Sequence, residues 1–167
     1  MESISTRRIA KSGVIAALYV ALTLSLSFLS YGNIQFRVAE ALMLLCLFSK
    51  DYVFALTVGC FAANIFSTVG LIDTVVGTSA TLLAGVCIYL LRNKLNYVTA
   101  SLFPVVFNGL FVGLELWLVL KLPLFLSMAQ VAIGETVCVS LVGTVLLKLL
   151  SKNKAFMSMI TNEREKI

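Results

Sequence analysis

Six apolar segments follow one another between about residue 9 and residue 149, and the breaks between them are long enough only for turns. A helix needs about 20 mostly apolar residues to cross the hydrocarbon core of a bilayer. The segments at about 9–30, 36–48, 52–69, 73–91, 98–120 and 124–149 are therefore read as six transmembrane helices. The second is short by that measure unless residues 31–35 extend it. The breaks fall at Tyr31-Gly32-Asn33, Ser49-Lys50-Asp51, Gly70, residues 93–96 and Pro123, while Pro104 lies inside the fifth segment, where it can kink the helix. Only 13% of the residues are charged and mean hydropathy is +1.01, against about 25% charged in a soluble domain. The expectation is an all-α integral membrane protein with one six-helix domain over residues 1–167 and the lipid bilayer as its surroundings.

Orientation follows from the basic residues, which gather on the cytoplasmic side of membrane proteins. With the N-terminus inside, Arg7, Arg8, Lys11, Lys50, Arg92, Lys94, Lys148, Lys152, Lys154, Arg164 and Lys166 are cytoplasmic, which is eleven of the thirteen Lys and Arg residues. Arg37 and Lys121 alone face outward. Arg7, Arg8 and Lys11 look at first like the start of a signal peptide, but the apolar run after them is long and more membrane segments follow. They are read as the anchor of the first helix, with both termini cytoplasmic in the cell membrane. The net charge of +5 gives no nucleic-acid surface, because the basic residues sit at membrane edges. Cys46, Cys60, Cys87 and Cys138 occur singly in apolar segments and read as small core residues, not metal or redox ligands.

Against this background the stretch Asn33-Ile34-Gln35-Phe36-Arg37-Val38-Ala39-Glu40 stands out, with two amides, a cation and a carboxylate in eight residues. Arg37 and Glu40, three apart, share a face on a helix and can meet each other or a common guest. A charge at the bilayer centre costs roughly 2.5–3.5 kcal/mol on insertion scales, so one kept there usually has a function. The plainer reading is a salt bridge at the membrane lip. On the orientation above, Arg37, Glu40, Asn64, Ser67, Asp73, Asn108, Glu115, Gln130 and Glu135 all fall in the outer halves or middles of their helices. No charge occupies the inner halves, so the pattern describes a pocket open to the outside and closed below.

Each polar residue has a structural alternative. Asp73 can cap a helix, and Asn64 and Asn108 can bridge helices. Glu115 and Glu135 are harder to explain by structure alone, because an unpaired buried carboxylate is costly. Asn108 and Glu115, seven apart, share a face. Trp117 is either a membrane-interface residue or a stacking wall. Small residues recur every four positions at Gly13, Ala17 and Ala21, at Gly77, Thr81 and Gly85, and at Gly109 and Gly113. Such stripes let helices approach closely, and the first could equally dock another membrane subunit.

The string Gln35-Phe36-Arg37-Val38-Ala39-Glu40-Ala41-Leu42 resembles the hallmark of the QueT family of queuosine-precursor transporters. Further similarity follows in order at Gly59-Cys60-Phe61-Ala62-Ala63-Asn64, at Asp73-Thr74-Val75-Val76-Gly77, from Pro104 through Asn108 to Glu115, and at Gly134-Glu135. The resemblance implies a six-helix substrate-binding S component of an energy-coupling-factor transporter. Its partners would be a transmembrane coupling subunit, docked on Ala17 and Ala21 of the first helix beside Gly13, and two cytoplasmic ATPases. It implies no enzyme activity and no cofactor, and the chain has no GxxxxGK[ST] nucleotide loop. The implied substrates are 7-deazaguanine bases: preQ0, preQ1 or queuine.

The residue chemistry suits that class. Arg37, Glu40, Asp73, Glu115 and Glu135 sum formally to −3, which favours a cationic or donor-rich guest. Asn33, Gln35, Asn64 and Asn108 complete the candidate binding set, and Phe36, Phe66 and Trp117 offer flat faces. Two other classes stand beside this one. A self-sufficient proton-coupled carrier could relay protons through Glu115 and Glu135, though no inverted repeat is visible. An intramembrane enzyme lacks a nameable nucleophile–base pair. An S component for another vitamin-like substrate also fits the pattern.

Overall fold

The computed structural model describes residues 6–30, 35–67 and 69–161, and among them every regular element is a helix. The order is α1 (Thr6–Ser25), α2 (Ser27–Ser30), a 3-10 helix (Val38–Leu47), α3 (Lys50–Asn64), α4 (Leu71–Leu91), α5 (Tyr97–Leu120), α6 (Leu124–Glu135), a π-helical stretch (Thr136–Gly143), α7 (Thr144–Leu150) and α8 (Lys154–Ile160). From α6 to α7 the chain forms one continuous helix, Leu124–Leu150.

Among the described residues, four helices are long and apolar enough to cross a membrane: Arg8–Ser25, Leu71–Leu91, Tyr97–Leu120 and Leu124–Leu150. The other two expected spans are shorter. The second is a 3-10 helix of 10 residues, and the third ends at Asn64 instead of residue 69, leaving Ser67 in the turn to α4. A 3-10 helix rises about 2.0 Å per residue against 1.5 Å in an α-helix, so this segment covers roughly 20 Å instead of roughly 15 Å.

The 3-10 helix is the axis of the bundle. It touches α1, α3, α4, α5 and both the π-helical and α7 parts of the last long helix. Ala39, Glu40, Met43, Leu44, Leu45 and Cys46 are buried along it. A segment enclosed by other helices has little lipid to face. Its closest partner is the π-helical stretch: a Cβ on Gly143 would lie 3.1 Å from Ala41 Cα. π-Helical turns are rare and concentrate at functional sites, and this one begins immediately after Glu135.

Turns are set by local chemistry. Ser49 caps α3 by accepting a hydrogen bond from the Asp51 N–H at 3.2 Å. Asn96 and Thr99 form a reciprocal capping box at the start of α5. Gly70, with φ +76°, opens α4 in a conformation that a side chain would strain. α5 passes through Pro104 as one helix and ends at Lys121, in the left-handed region, just before Leu122 and Pro123. Cys46, Cys60 and Cys138 are buried and Cys87 is half-buried, all as free thiols.

At the opposite end, Arg8 donates two hydrogen bonds to Asp51, each 2.7 Å, tying α1 to α3. The short helix α8 docks beside them: Tyr52 donates its hydroxyl proton to the Ile160 carbonyl at 2.8 Å, and Lys11 donates to the Met159 carbonyl.

Candidate functional site

The candidate polar residues converge on the 3-10 helix from four sides. Arg37 is its N-cap, with φ −82° and ψ 80°, so its side chain leaves before the first turn and reaches α4. There its Nη2 donates to Asp73 Oδ1 at 3.0 Å, both residues being 2% exposed or less. Arg37 therefore pairs with Asp73, not with Glu40 as the three-residue spacing had suggested. Asp73 is not a cap either: Gly70 is the N-cap of α4, and Asp73 is the third residue of its first turn. Its second oxygen accepts from Ser67 Oγ in the α3–α4 turn. Asn64 donates to the Asp73 carbonyl at 3.3 Å, so Asn64 does bridge helices.

Glu40 has different partners. Its Oε1 accepts from the Tyr19 hydroxyl of α1 and from Thr81 Oγ1 of α4 at 3.1 Å. Neither donor was singled out from the sequence as a site residue. Thr81 was visible only as a member of a small-residue stripe, and Tyr19 looks like any tyrosine in an apolar helix. Asn64 also donates to Cys60 Sγ at 3.4 Å, and Thr81 Oγ1 lies 3.3 Å from the same sulfur.

Glycines set the approach distances. A Cβ on Gly77 would lie 2.6 Å from Asn64 Nδ2, 3.1 Å from Asp73 Oδ1 and 3.2 Å from Arg37 Nη1. On Gly134 it would meet the Gln35 carbonyl oxygen at 2.2 Å, so this glycine lets the segment that leads into the 3-10 helix lie against α6. Gly109 faces Ala132, and Gly113 faces Met128, which fixes the antiparallel register of α5 on α6. In that register Glu135 lies close to the level of Asn108 and roughly 13 Å along the axis from Glu115. The two carboxylates thus occupy different levels.

Two polar levels result. One holds Arg37, Asp73, Ser67 and Glu115, with Glu115 in the field of Asp73 and Arg37. The other holds Glu40, Tyr19, Thr81, Asn108 and Glu135, with Glu135 in the field of Glu40 and Arg37. Most of the polar atoms there have no protein partner although they are buried: Gln35 Oε1, Arg37 Nε and Nη1, Glu40 Oε2, and both side-chain polar atoms of Asn108, Glu115 and Glu135. Buried polar groups in folded proteins are almost always hydrogen-bonded. A concentration of this kind is costly as architecture and normal for a binding site.

Other expectations fall elsewhere. Asn33 lies outside the described residues. Phe66 is 67% exposed and Trp117 43%, so neither forms a wall of this buried cluster. Phe36 packs against the main hydrophobic core. The stripes on α4 and α5 are buried within the bundle, whereas Gly13, Ala17 and Ala21 all lie exposed on α1. Beside them, a groove of about 530 Å³ runs between α1 and α3, walled by Ile9, Gly13, Ala16, Phe54 and Val58.

Gly77→Ala is expected to cost roughly 1–3 kcal/mol, because its methyl group would displace the Arg37–Asp73–Asn64 cluster. Thermal unfolding in detergent measures it, and an unchanged midpoint would show that the cluster has slack.

Helices of this length and apolarity around a buried polar centre define a multi-pass membrane protein. A family model described as QueT transporter matches residues 9–152, and the chain belongs to that family, which is one of transporters and not of enzymes. The protein named Queuosine precursor transporter QueT from Lactococcus lactis subsp. cremoris (strain MG1363) is 35% identical over 150 residues, covering 81% of this chain and 87% of its own. No solved structure matches the chain. The match ends before α8.

Proposed function

We propose that this chain is the substrate-binding S component of an energy-coupling-factor transporter and takes up a queuosine precursor, a 7-deazaguanine base, from outside the cell. The observation that carries the reading is the set of buried, unpartnered polar atoms on Gln35, Arg37, Glu40, Asn108, Glu115 and Glu135. A guanine-like edge presents N–H donors beside a carbonyl acceptor. The acceptors of Glu115 and the free N–H groups of Arg37 together are complementary to that edge, and Asn108 offers both a donor and an acceptor to the rest of the ring. Asn64 and Asp73 hold Arg37 in position, and Asn33 completes the binding set.

In this reading the chain crosses the cell membrane six times, the 3-10 helix and α3 completing the four longer spans, with both termini cytoplasmic. The exposed Gly13–Ala17–Ala21 face docks the transmembrane coupling subunit, which carries two cytoplasmic ATPases. Orientation is tested by labelling in a background without the four native cysteines. A cysteine beside Lys121 is expected to react with an impermeant reagent from outside, and one beside Lys94 only after permeabilisation. The reverse pattern overturns the placement.

Binding is tested by calorimetry on the purified protein. Glu115→Gln is expected to weaken binding of the base roughly ten- to a hundred-fold, since a charge-assisted hydrogen bond contributes about 1.5–3 kcal/mol. Normal affinity with transport lost would instead make Glu115 a proton relay in a self-sufficient carrier.

A further inference from the structure

We infer that the Glu40–Glu135 level is a subsite for a protonated amine, so that the transporter selects a 7-deazaguanine carrying a cationic exocyclic arm over one whose arm is neutral. The inference rests on reading the site as one for 7-deazaguanines and goes beyond it by assigning the two levels different parts of the guest. Among the described residues, Arg37 is the only cation that is buried. Its Nη2 is committed to Asp73 on the other level. Glu40 and Glu135 are each fully buried and have no cation in hydrogen-bonding contact. Tyr19 and Thr81 fill one oxygen of Glu40 and hold the carboxylate in place with Oε2 left over. Both oxygens of Glu135 and the Oδ1 of Asn108, a fully buried amide at the same level, are likewise unpartnered.

The donor and acceptor inventory decides the sign. Of the unpartnered atoms on the six site residues, seven accept (Gln35 Oε1, Glu40 Oε2, Asn108 Oδ1 and two each on Glu115 and Glu135) and three donate (Arg37 Nε and Nη1, Asn108 Nδ2). The N–H edge of the ring serves Glu115, but a ring alone leaves the second level with four unpartnered acceptors against one donor, Asn108 Nδ2. A nitrile arm would add one more acceptor there. An ammonium adds N–H donors and a positive charge between two carboxylates, which satisfies both the hydrogen bonding and the charge.

The test compares 7-aminomethyl-7-deazaguanine with 7-cyano-7-deazaguanine by calorimetry on the purified full-length protein. The aminomethyl compound is expected to bind at least roughly tenfold more tightly. In Glu135→Gln that preference should shrink to about threefold or less. Equal affinities, or tighter binding of the cyano compound, overturn the amine subsite while leaving the 7-deazaguanine reading intact. A preference that persists undiminished in folded Glu135→Gln also overturns it. If neither compound binds the wild-type protein, the 7-deazaguanine reading fails and the subsite falls with it. Should Glu135→Gln not fold, the wild-type comparison alone decides.

Discussion

Replacing Arg37 by alanine is expected to destabilise the protein by about 3–5 kcal/mol, the usual cost of removing one partner from a buried ion pair. Asp73 Oδ1 would lose its only cationic partner at 3.0 Å, and Glu40, Glu115 and Glu135 would lose the one positive charge in whose field they lie. The fall in melting temperature in detergent should be on the order of 10 °C for a chain of this size. Charge, not volume, is the cause, so Asp73→Asn in the Arg37→Ala background should recover part of the loss by removing the stranded carboxylate. Arg37→Lys keeps the charge without the planar fork and should fall between wild type and alanine. A double variant as unstable as Arg37→Ala alone would show that Arg37 matters through packing and not through its pairing with Asp73.

The apolar segments were legible because burying a backbone in lipid leaves few alternatives to the helix. Helices overlie the expected segments, and among the described residues four of them are long and apolar enough to cross a membrane. The polar residues were legible for the same reason: Arg37, Asp73, Glu115 and Glu135 stand out where charge is expensive. Their partners were not legible. Arg37 and Glu40 share a face in any continuous helix, but Arg37 precedes the first 3-10 turn with ψ 80° and pairs with Asp73 of α4, while Glu40 turns in between Tyr19 of α1 and Thr81 of α4. Sequence spacing cannot report a backbone that is not yet helical at the first of the two residues. The difference in level between Glu115 and Glu135 was hidden for a related reason. It depends on the register of α5 on α6, set by Gly113 against Met128 and Gly109 against Ala132, and a register between two apolar helices leaves no periodic mark. The glycines themselves were visible but not their separate tasks. Gly77 makes room for a guanidinium, Gly134 for a carbonyl and Gly59 for Tyr19, whereas Gly13 meets nothing within 4 Å.

That contrast leads to the second large effect, the loss of uptake without loss of binding. The inward face of α1 is already accounted for, since a Cβ on Gly59 of α3 would lie 2.9 Å from Tyr19 Cβ and 3.0 Å from the Ala16 carbonyl oxygen. The close approach of α1 to α3 thus depends on Gly59, and the small residues at positions 13, 17 and 21 take no part in it. They lie exposed on α1, where lipid alone would accept leucine or phenylalanine as readily as alanine. A smooth outward face suits a second helix at short range, here that of the proposed coupling subunit. Ala17→Phe or Ala21→Phe should therefore abolish uptake in cells, while the purified variant keeps its melting temperature and binds substrate within about twofold of wild type, a difference of roughly 0.4 kcal/mol. Copurification with the coupling subunit should fail in the same variants. If uptake survives with the coupling subunit still attached, the face is only a lipid contact, and if binding falls together with the melting temperature, the stripe supports the fold after all.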